Sequence, residues 1–253
     1  MLQLMTIVVL SLGRTASVSV WKSLEAATSE PVLHAHYLDS SRWRDPDKPR
    51  SLEKAEKEAA VVSALADASQ RRVIVSVLRD PFDRIASALW YEKPQAMAHL
   101  FRKVSEPSVA EVLRVLRHRM AVRLEKQRME WEVNWARLGL IGYPAPGLMW
   151  TRSGIPVHFL AFERLAAGFA TATMSILGVP APLLKLNTGE DQGDAAAHAR
   201  FRSWCDDHLV ELIREADAGV SFVSPAGPER RAQADPPGES GSDWRIGDWR
   251  IGA

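Results

Sequence analysis

Residues 5–19 read MTIVVLSLGRTASVS, and this stretch decides the fold. Residues 5–10 are apolar and rich in β-branched side chains without polar alternation, which is typical of a strand buried on both faces of a parallel sheet. Residues 11–14 interrupt the run with serine, glycine and arginine. From Ala16 onward, apolar residues recur at helical spacing. The chain is therefore predicted to open with a strand, a tight loop and a helix.

The same pattern recurs at residues 73–78, VIVSVL, the clearest candidate for a central strand. Asp80 is suited to cap the helix that follows, and Pro81 to occupy its first position. Candidate strands at 31–38 and 157–162 alternate with helical patterns at 51–69, 107–138, 165–177 and 195–217. Strands that alternate with helices predict an open α/β sheet, parallel in the main, with ligands at the carboxyl ends of the strands.

Within the helix at 51–69, the apolar spacing predicts that Glu58 is exposed and that Ala60, Val61 and Leu65 are buried. Gly178 is expected to close the helix at 165–177. We interpret the larger aromatic residues of the second half as core residues: Trp131, Trp135, Phe159 and Trp204.

The composition is that of an ordinary globular protein. The chain has 253 residues, of which 46% are hydrophobic and 25% are charged. Its 32 basic and 31 acidic residues leave a net charge of +1, so no charge excess indicates a nucleic-acid partner. The single cysteine excludes an internal disulfide framework and a cysteine-based zinc site.

We expect one domain over residues 1–223 and a disordered tail over residues 224–253. The tail is rich in proline and glycine and ends in two copies of DWRIG. Two copies are too few for a solenoid. No apolar run reaches the length of a membrane span, and no signal peptide is recognisable. A cytoplasmic protein is therefore expected.

The first loop, within residues 11–19, carries the features of an anion-binding site. A turn of small residues at a helix N-terminus leaves backbone N–H groups unpaired, and the helix dipole adds partial positive charge. The Arg14 guanidinium and the hydroxyls of Thr15, Ser17 and Ser19 add donors for phosphate or sulfate. It is not a Walker A loop, because Gly13 is not followed by the Gly-Lys-Ser/Thr of that motif. A simple turn capped by serine and threonine is the alternative.

Arg79 and Ser87 form a second candidate anion site. Arg79 lies at the end of a buried strand, where a buried cation costs free energy of desolvation unless an anion pairs with it. Ser87 follows about two helical turns later, so its hydroxyl can face back toward the strand end. The pair predicts a second phosphate site. The alternative is that Arg79 pairs with Asp80 or Asp83.

These two loops resemble those of the sulfotransferases that use 3′-phosphoadenosine 5′-phosphosulfate (PAPS). LGRTAS at residues 12–17 resembles that family's 5′-phosphosulfate loop, and RDPFDRIAS at residues 79–87 resembles its 3′-phosphate motif. The resemblance is closest to the bacterial and Golgi-type carbohydrate sulfotransferases, including proteins of capsular polysaccharide synthesis. It covers residues 5–24 and 73–91, and residues 162–165 match a later motif less closely.

The resemblance implies a role for each matching residue. Arg14 would contact the bridging oxygen and the sulfonate, while Arg79 and Ser87 would hold the 3′-phosphate. The loop that would hold the 5′-phosphosulfate comprises Gly13, Arg14, Thr15, Ala16, Ser17, Val18 and Ser19. The sequence departs from the family where Arg14 replaces a common lysine, Ala16 a glycine and Val18 a threonine. An arginine keeps the charge but cannot deliver a proton.

Sulfonate transfer of this kind benefits from a base that takes the proton of the acceptor hydroxyl. His34 and His36 are the candidates, because residues two apart on a strand point to the same face. Their strand is expected to end near the first loop. His36 is closer to that end and is the preferred base, and a structural or surface role is the alternative for either histidine.

The sequence therefore predicts a P-loop-like α/β enzyme that transfers a sulfonate from PAPS to a hydroxyl of a carbohydrate or small metabolite. PAPS is its expected co-substrate, and no metal is expected. One alternative is a P-loop nucleotide kinase or NTPase, which the missing Walker A lysine disfavours. The other is an inactive relative that binds a nucleotide or a glycan.

Overall fold

A computed structural model describes residues 4–11, 15–38, 49–116, 134–140, 144–184 and 194–216. The predicted tail at 224–253, with its DWRIG repeat, lies outside the described residues, as do Trp131, Gly13 and Arg14. The strands, helices and contacts of the structure lie within these described residues.

The centre of the fold is a five-stranded sheet in the order β2-β1-β3-β5-β4. Its strands are β1 (Met5–Leu10), β2 (Val32–Ala35), β3 (Arg71–Leu78), β4 (Gly147–Trp150) and β5 (Pro156–Ala161). The first three and β5 are parallel to one another, and β4 pairs antiparallel with β5 at one edge. The prediction of an open, mostly parallel α/β sheet is confirmed.

The helices alternate with the strands as predicted, with several shifts of boundary. They are α1 (Ser17–Ala27), α2 (Pro49–Ala66), α3 (Pro81–Glu92), α4 (Pro94–Lys103), α5 (Val109–Leu116), α6 (Leu165–Leu177) and α7 (Ala195–Ala216). Of the region predicted as one helix at 107–138, the structure describes α5 and a short helical turn at 134–137. As predicted, α6 ends at Gly178, whose φ of 77° is left-handed.

The chain divides into two compact units. The first comprises Met1–Arg84 and Glu125–Asp191, and the second comprises Ile85–Leu124 and Gln192–Ala253. The first unit holds the whole sheet together with α1, α2 and α6. The second holds α4, α5, α7 and all but the first turn of α3.

Different helices cover the two faces of the sheet. On one face, odd-numbered residues of β1 and β3 form a buried cluster with Val20 and Leu24 of α1 and Phe169 of α6. On the other face, even-numbered residues pack with Val61 of α2 and with Trp135. Each such aliphatic side chain contributes about 1.5–3 kcal/mol when fully buried. The strands β1 and β3 are thus buried on both faces, as their unbroken apolar runs predict.

One prediction about α2 is wrong. Glu58 is buried and Ala60 is exposed, the reverse of the expectation. The buried face is instead formed by Ala55, Glu58 and Val61, which are spaced three apart along the helix. Hydropathy alone assigns a glutamate to the outside, whereas helix geometry places this one beside its buried neighbours.

The second unit has an aromatic core. Phe201 of α7 packs edge-on against Phe101 of α4, with ring centroids 5.4 Å apart. Trp204 also contacts Phe101, and its indole N–H donates to the carbonyl oxygen of Pro107 at 2.7 Å. The prediction that Trp204 is a core residue is confirmed, as it is for Trp135 and Phe159 in the first unit.

Candidate functional site

The strand order brings the two predicted anion loops to neighbouring positions. β2 and β3 flank β1 on opposite sides. The chain after β1 leads to β2 on one side, and the chain after β3 leads to β5 on the other, so the two loops diverge at the carboxyl edge of the sheet. The parallel register pairs Val9 with Val75, so β3 extends two residues, about 7 Å, beyond the level at which β1 ends. In open α/β sheets this switch point is where ligands bind. Ser11 and Arg79 are the first residues beyond the two strands.

The first loop enters α1 through a left-handed residue. Ala16, the N-cap of α1, has φ 57° and ψ 25°, and it is the only non-glycine residue of the described part with positive φ. A left-handed residue followed by a right-handed one turns consecutive backbone N–H groups toward a common point, a conformation that binds anions. The backbone at the helix entrance therefore has the geometry of an anion cradle.

The charges around this entrance suit an anion. The methyl side chain of Ala16 cannot cap the helix, and the first turn of α1 holds no acidic residue. The helix dipole consequently meets no negative side chain of its own first turn. Thr15, Ser17 and Ser19 are buried beside it, and Val18 is half-buried. The contributions predicted for Gly13 and Arg14 stay predictions, because both residues lie outside the described part.

Arg79 lies at the β5 side of the switch point. Its guanidinium lies over the ring of Phe162, 4.3 Å from the ring centroid, and Phe162 directly follows β5. A phenyl ring has no hydrogen-bond acceptor atom, so this cation–π contact uses none of the arginine's N–H donors. Arg79 is half-buried. The Phe162 ring thus packs against the guanidinium just beyond the end of β3.

Asp80 caps the N-terminus of α3. Its carboxylate Oδ1 accepts a hydrogen bond from the amide of Asp83 at 2.9 Å, and Pro81 begins α3. The predicted N-cap is therefore confirmed. Ser87 is half-buried on α3 in the second compact unit. Its predicted part in a phosphate site stays a prediction.

His36 lies directly against the start of the first loop. Its Nδ1 is 2.8 Å from the carbonyl oxygen of Ser11. A carbonyl oxygen can only accept, so Nδ1 carries the proton and Nε2 of the neutral ring holds a lone pair. The strand β2 ends at Ala35, one residue earlier than this histidine. The ring thus has the tautomer that a base acting through Nε2 requires.

His34 is held between two rings. It stacks on Trp21 of α1 with centroids 5.3 Å apart, and it meets His36 edge-on at 4.8 Å. The rings of the two histidines are therefore in contact, although His36 lies beyond the end of the strand that was predicted to carry both. Burial lowers the pKa of His34 from 6.5 to about 3, and the charges of His36 and Lys57 add to this shift. So weak a base favours His36 over His34 as the proton acceptor.

The burial of His34 makes the stability of the fold pH-dependent. Because the folded state disfavours the charged ring, the unfolded chain binds this proton more tightly between pH 6.5 and about 3. The free energy of unfolding is expected to fall by about 1.4 kcal/mol per pH unit of acidification within that window. Urea unfolding at a series of pH values measures the slope. His34→Phe keeps a ring against Trp21 and should flatten it, whereas an equal slope in both proteins would contradict this assignment.

Asn134 is a residue that sequence reasoning missed. Its side-chain amide is buried and bonds to the backbone on both sides of Tyr37, at His36 and Leu38. An asparagine within a predicted helix carries no local signal of such a role, because its partners lie almost a hundred positions earlier in the chain. The one signal in the sequence is that a polar residue directly precedes the apolar Trp135.

The described residues form neither a membrane span nor a metal site. None of the described helices is both long enough and apolar enough to cross a bilayer. Within the same residues, no group of three or more His, Cys, Asp or Glu side chains is placed to hold a metal ion. No protein-family model matches this chain, and no curated protein sequence matches it either.

Proposed function

We propose that this protein is a PAPS-dependent sulfotransferase with a P-loop-like sheet. The observation that carries the proposal is the position of both anion loops at adjacent carboxyl ends of β1 and β3. The sequences of these loops resemble the 5′-phosphosulfate and 3′-phosphate motifs. A nucleotide with phosphates at both ends of its ribose is the ligand that two such neighbouring sites suit.

The donor nucleotide lies, in this proposal, across the two loops. The amides at the entrance of α1 and the Arg14 guanidinium hold the phosphosulfate, and Arg79 holds the 3′-phosphate. Charge-assisted hydrogen bonds of this kind are about twice as strong as neutral ones. Because Arg79 follows a strand end and the amides lie at a helix N-terminus, the fold holds these donors in place before the ligand arrives.

His36 supplies the base of the reaction. Its Nε2 takes the proton of the acceptor hydroxyl as the acceptor oxygen bonds to sulfur. The bond between sulfur and the 5′-phosphate oxygen breaks on the opposite side, and 3′-phosphoadenosine 5′-phosphate leaves with the electron pair. As in phosphoryl transfer, positioning and electrostatic stabilisation of the equatorial oxygens carry most of the catalysis. The acceptor is a hydroxyl of a carbohydrate or another small metabolite, and a cytoplasmic location is part of this proposal.

Titration calorimetry with four adenine nucleotides tests the proposal. We expect 3′-phosphoadenosine 5′-phosphate to bind about 10- to 100-fold more tightly than AMP, the range that one additional charge-assisted phosphate contact gives. ADP and ATP lack the 3′-phosphate and should bind no better than AMP.

Three other results would redirect the assignment. Equal binding of AMP and the 3′-phosphorylated nucleotide would remove the second phosphate site. Preference for ATP with Mg²⁺ would indicate a kinase or NTPase. Tight binding of the 3′-phosphorylated nucleotide without any release of it from PAPS, across a panel of carbohydrate acceptors, would indicate an inactive relative.

A further inference from the structure

The backbone that carries His36 is held by a side chain from a distant part of the chain. The Nδ2 of Asn134 donates to the carbonyl oxygen of His36 at 2.6 Å. The Oδ1 of the same side chain accepts from the amide of Leu38 at 2.9 Å. Asn134 is fully buried. Its amide pairs one backbone acceptor and one backbone donor just beyond β2, as a neighbouring strand would.

The segment that contains Asn134 is itself well anchored. Trp135, Leu138 and Leu140 are buried in the same cluster as Ala35 and Leu38. Arg137 adds a hydrogen bond from its guanidinium to the carbonyl oxygen of Leu38. The amide of Asn134 therefore projects from a packed segment, so that it can define the course of the chain after β2.

The ring of His36 depends on that course. Its Nδ1 reaches the Ser11 carbonyl oxygen at 2.8 Å, and its edge contacts His34. A shift of the backbone at residue 36 would break the hydrogen bond to Ser11, and the proton would then be free to occupy either ring nitrogen. Ring and backbone are thus held by two separate contacts, the ring by Ser11 and the backbone by Asn134.

We propose that Asn134 is a positioning residue for His36. Its two backbone hydrogen bonds set the end of β2 so that the imidazole meets the Ser11 carbonyl and keeps Nε2 unprotonated toward the acceptor hydroxyl. The consequence for turnover rests on the proposed function. The consequence for the state of the His36 ring does not.

A merely structural role for Asn134 must be separated from a positioning role. Loss of its amide removes a hydrogen-bond partner from the buried Leu38 amide and from the His36 carbonyl oxygen, which destabilises the fold whatever the function. Thr173 provides a matched control in the same unit. It is buried, its hydroxyl accepts from the amide of Ala181 at 2.8 Å, and it donates to the carbonyl oxygen of Phe169 at 3.0 Å. Thr173→Val therefore removes a comparable buried hydrogen-bonding side chain that does not contact His36.

Nitrogen NMR of the full chain labelled at histidine measures the tautomer of His36 directly. In the native protein we expect the Nδ1–H form. In Asn134→Ala we expect a mixture of both tautomers, while Thr173→Val keeps the native form. In turnover assays with PAPS, Asn134→Ala should lower kcat by about 10- to 100-fold with little change in KM for PAPS, as expected for a displaced catalytic group.

Asn134→Asp is a second variant for the case in which the alanine variant does not fold. It keeps an acceptor for Leu38 but replaces the donor to His36 with a carboxylate oxygen. The negative charge should raise the pKa of His36. Among the described residues, His34 is in ring contact with His36, Arg137 donates to the carbonyl oxygen of Leu38, and the charge of Lys57 of α2 acts on His34. The spectra of Asn134→Asp should therefore show both a raised pKa and loss of the single tautomer.

The proposal is overturned if His36 keeps its tautomer and titration in the Asn134 variants, or if Thr173→Val changes them equally. Absence of any sulfonate transfer by the native protein would contradict the proposed function alone, because the NMR comparison needs no substrate. A changed tautomer with unchanged kcat in an active enzyme would also overturn the positioning role.

Discussion

Replacing His36 with alanine is expected to lower kcat for sulfonate transfer by about 10²- to 10⁴-fold, the usual contribution of a general base. The Ser11 carbonyl holds Nδ1–H of this ring, which leaves the lone pair on Nε2 for the acceptor proton. In the proposed reaction the base acts on the acceptor and not on the donor nucleotide. Affinity for 3′-phosphoadenosine 5′-phosphate should therefore change little, and calorimetry on the same preparation checks this together with the fold.

A histidine that lies inside a strand provides the control for this variant. His158 of β5 is half-buried, and burial lowers its pKa as well. Its register partner on β3 is Val75, which lies inside the strand and not at its carboxyl end. His158→Ala should keep its activity. If both variants lose activity equally, or if His36→Ala retains the native kcat, His36 is not the base.

Replacing Arg79 with alanine should abolish the preference for the 3′-phosphorylated nucleotide. The expected loss is about 10- to 100-fold in affinity for 3′-phosphoadenosine 5′-phosphate, with AMP binding unchanged, because only the former carries the phosphate that Arg79 contacts in the proposed complex. The guanidinium lies over the Phe162 ring, 4.3 Å from the ring centroid, just beyond the end of β3. The affinity of Arg79→Lys for the 3′-phosphorylated nucleotide should lie between those of the native protein and of Arg79→Ala, since a lysine keeps the charge but not the planar bidentate geometry.

Arg71 is the matched control for Arg79. It lies at the opposite end of the same strand and is exposed. Arg71→Ala should leave the affinity for both nucleotides as it is. A parallel loss of AMP and of the 3′-phosphorylated nucleotide in Arg79→Ala would place the arginine's contact elsewhere on the ligand.

The sheet was predictable from local sequence because its central strands β1 and β3 are continuous apolar runs. Residues 5–10 and 73–78 are apolar without alternation, and only a strand buried on both faces needs that pattern. The edge strand β4 has no such signal. Leu148 and Trp150 are half or more exposed there, and Gly147 begins the strand. Four exposed or partly exposed residues do not differ from a loop in their hydropathy.

The candidate site was predictable only where its parts are local. The loop after β1, the arginine after β3 and the two neighbouring histidines each follow from short-range spacing. The left-handed backbone at Ala16 does not, because alanine disfavours that region and its methyl group gives no hint of it. The buried Glu58 and the Asn134 amide depend on partners or packing far away in the sequence. Residue type alone does not specify such partners.

The parallel register has a consequence for how the protein is made. Ile74 of β3 pairs with Val157 of β5, about 80 residues further along the chain. A ribosome that has released residues up to the end of β3 has therefore delivered a strand with one edge still open. Closing so long a loop is slow compared with forming a helix. We expect the nascent chain to expose that edge until β5 emerges, and to need protection from aggregation during this interval.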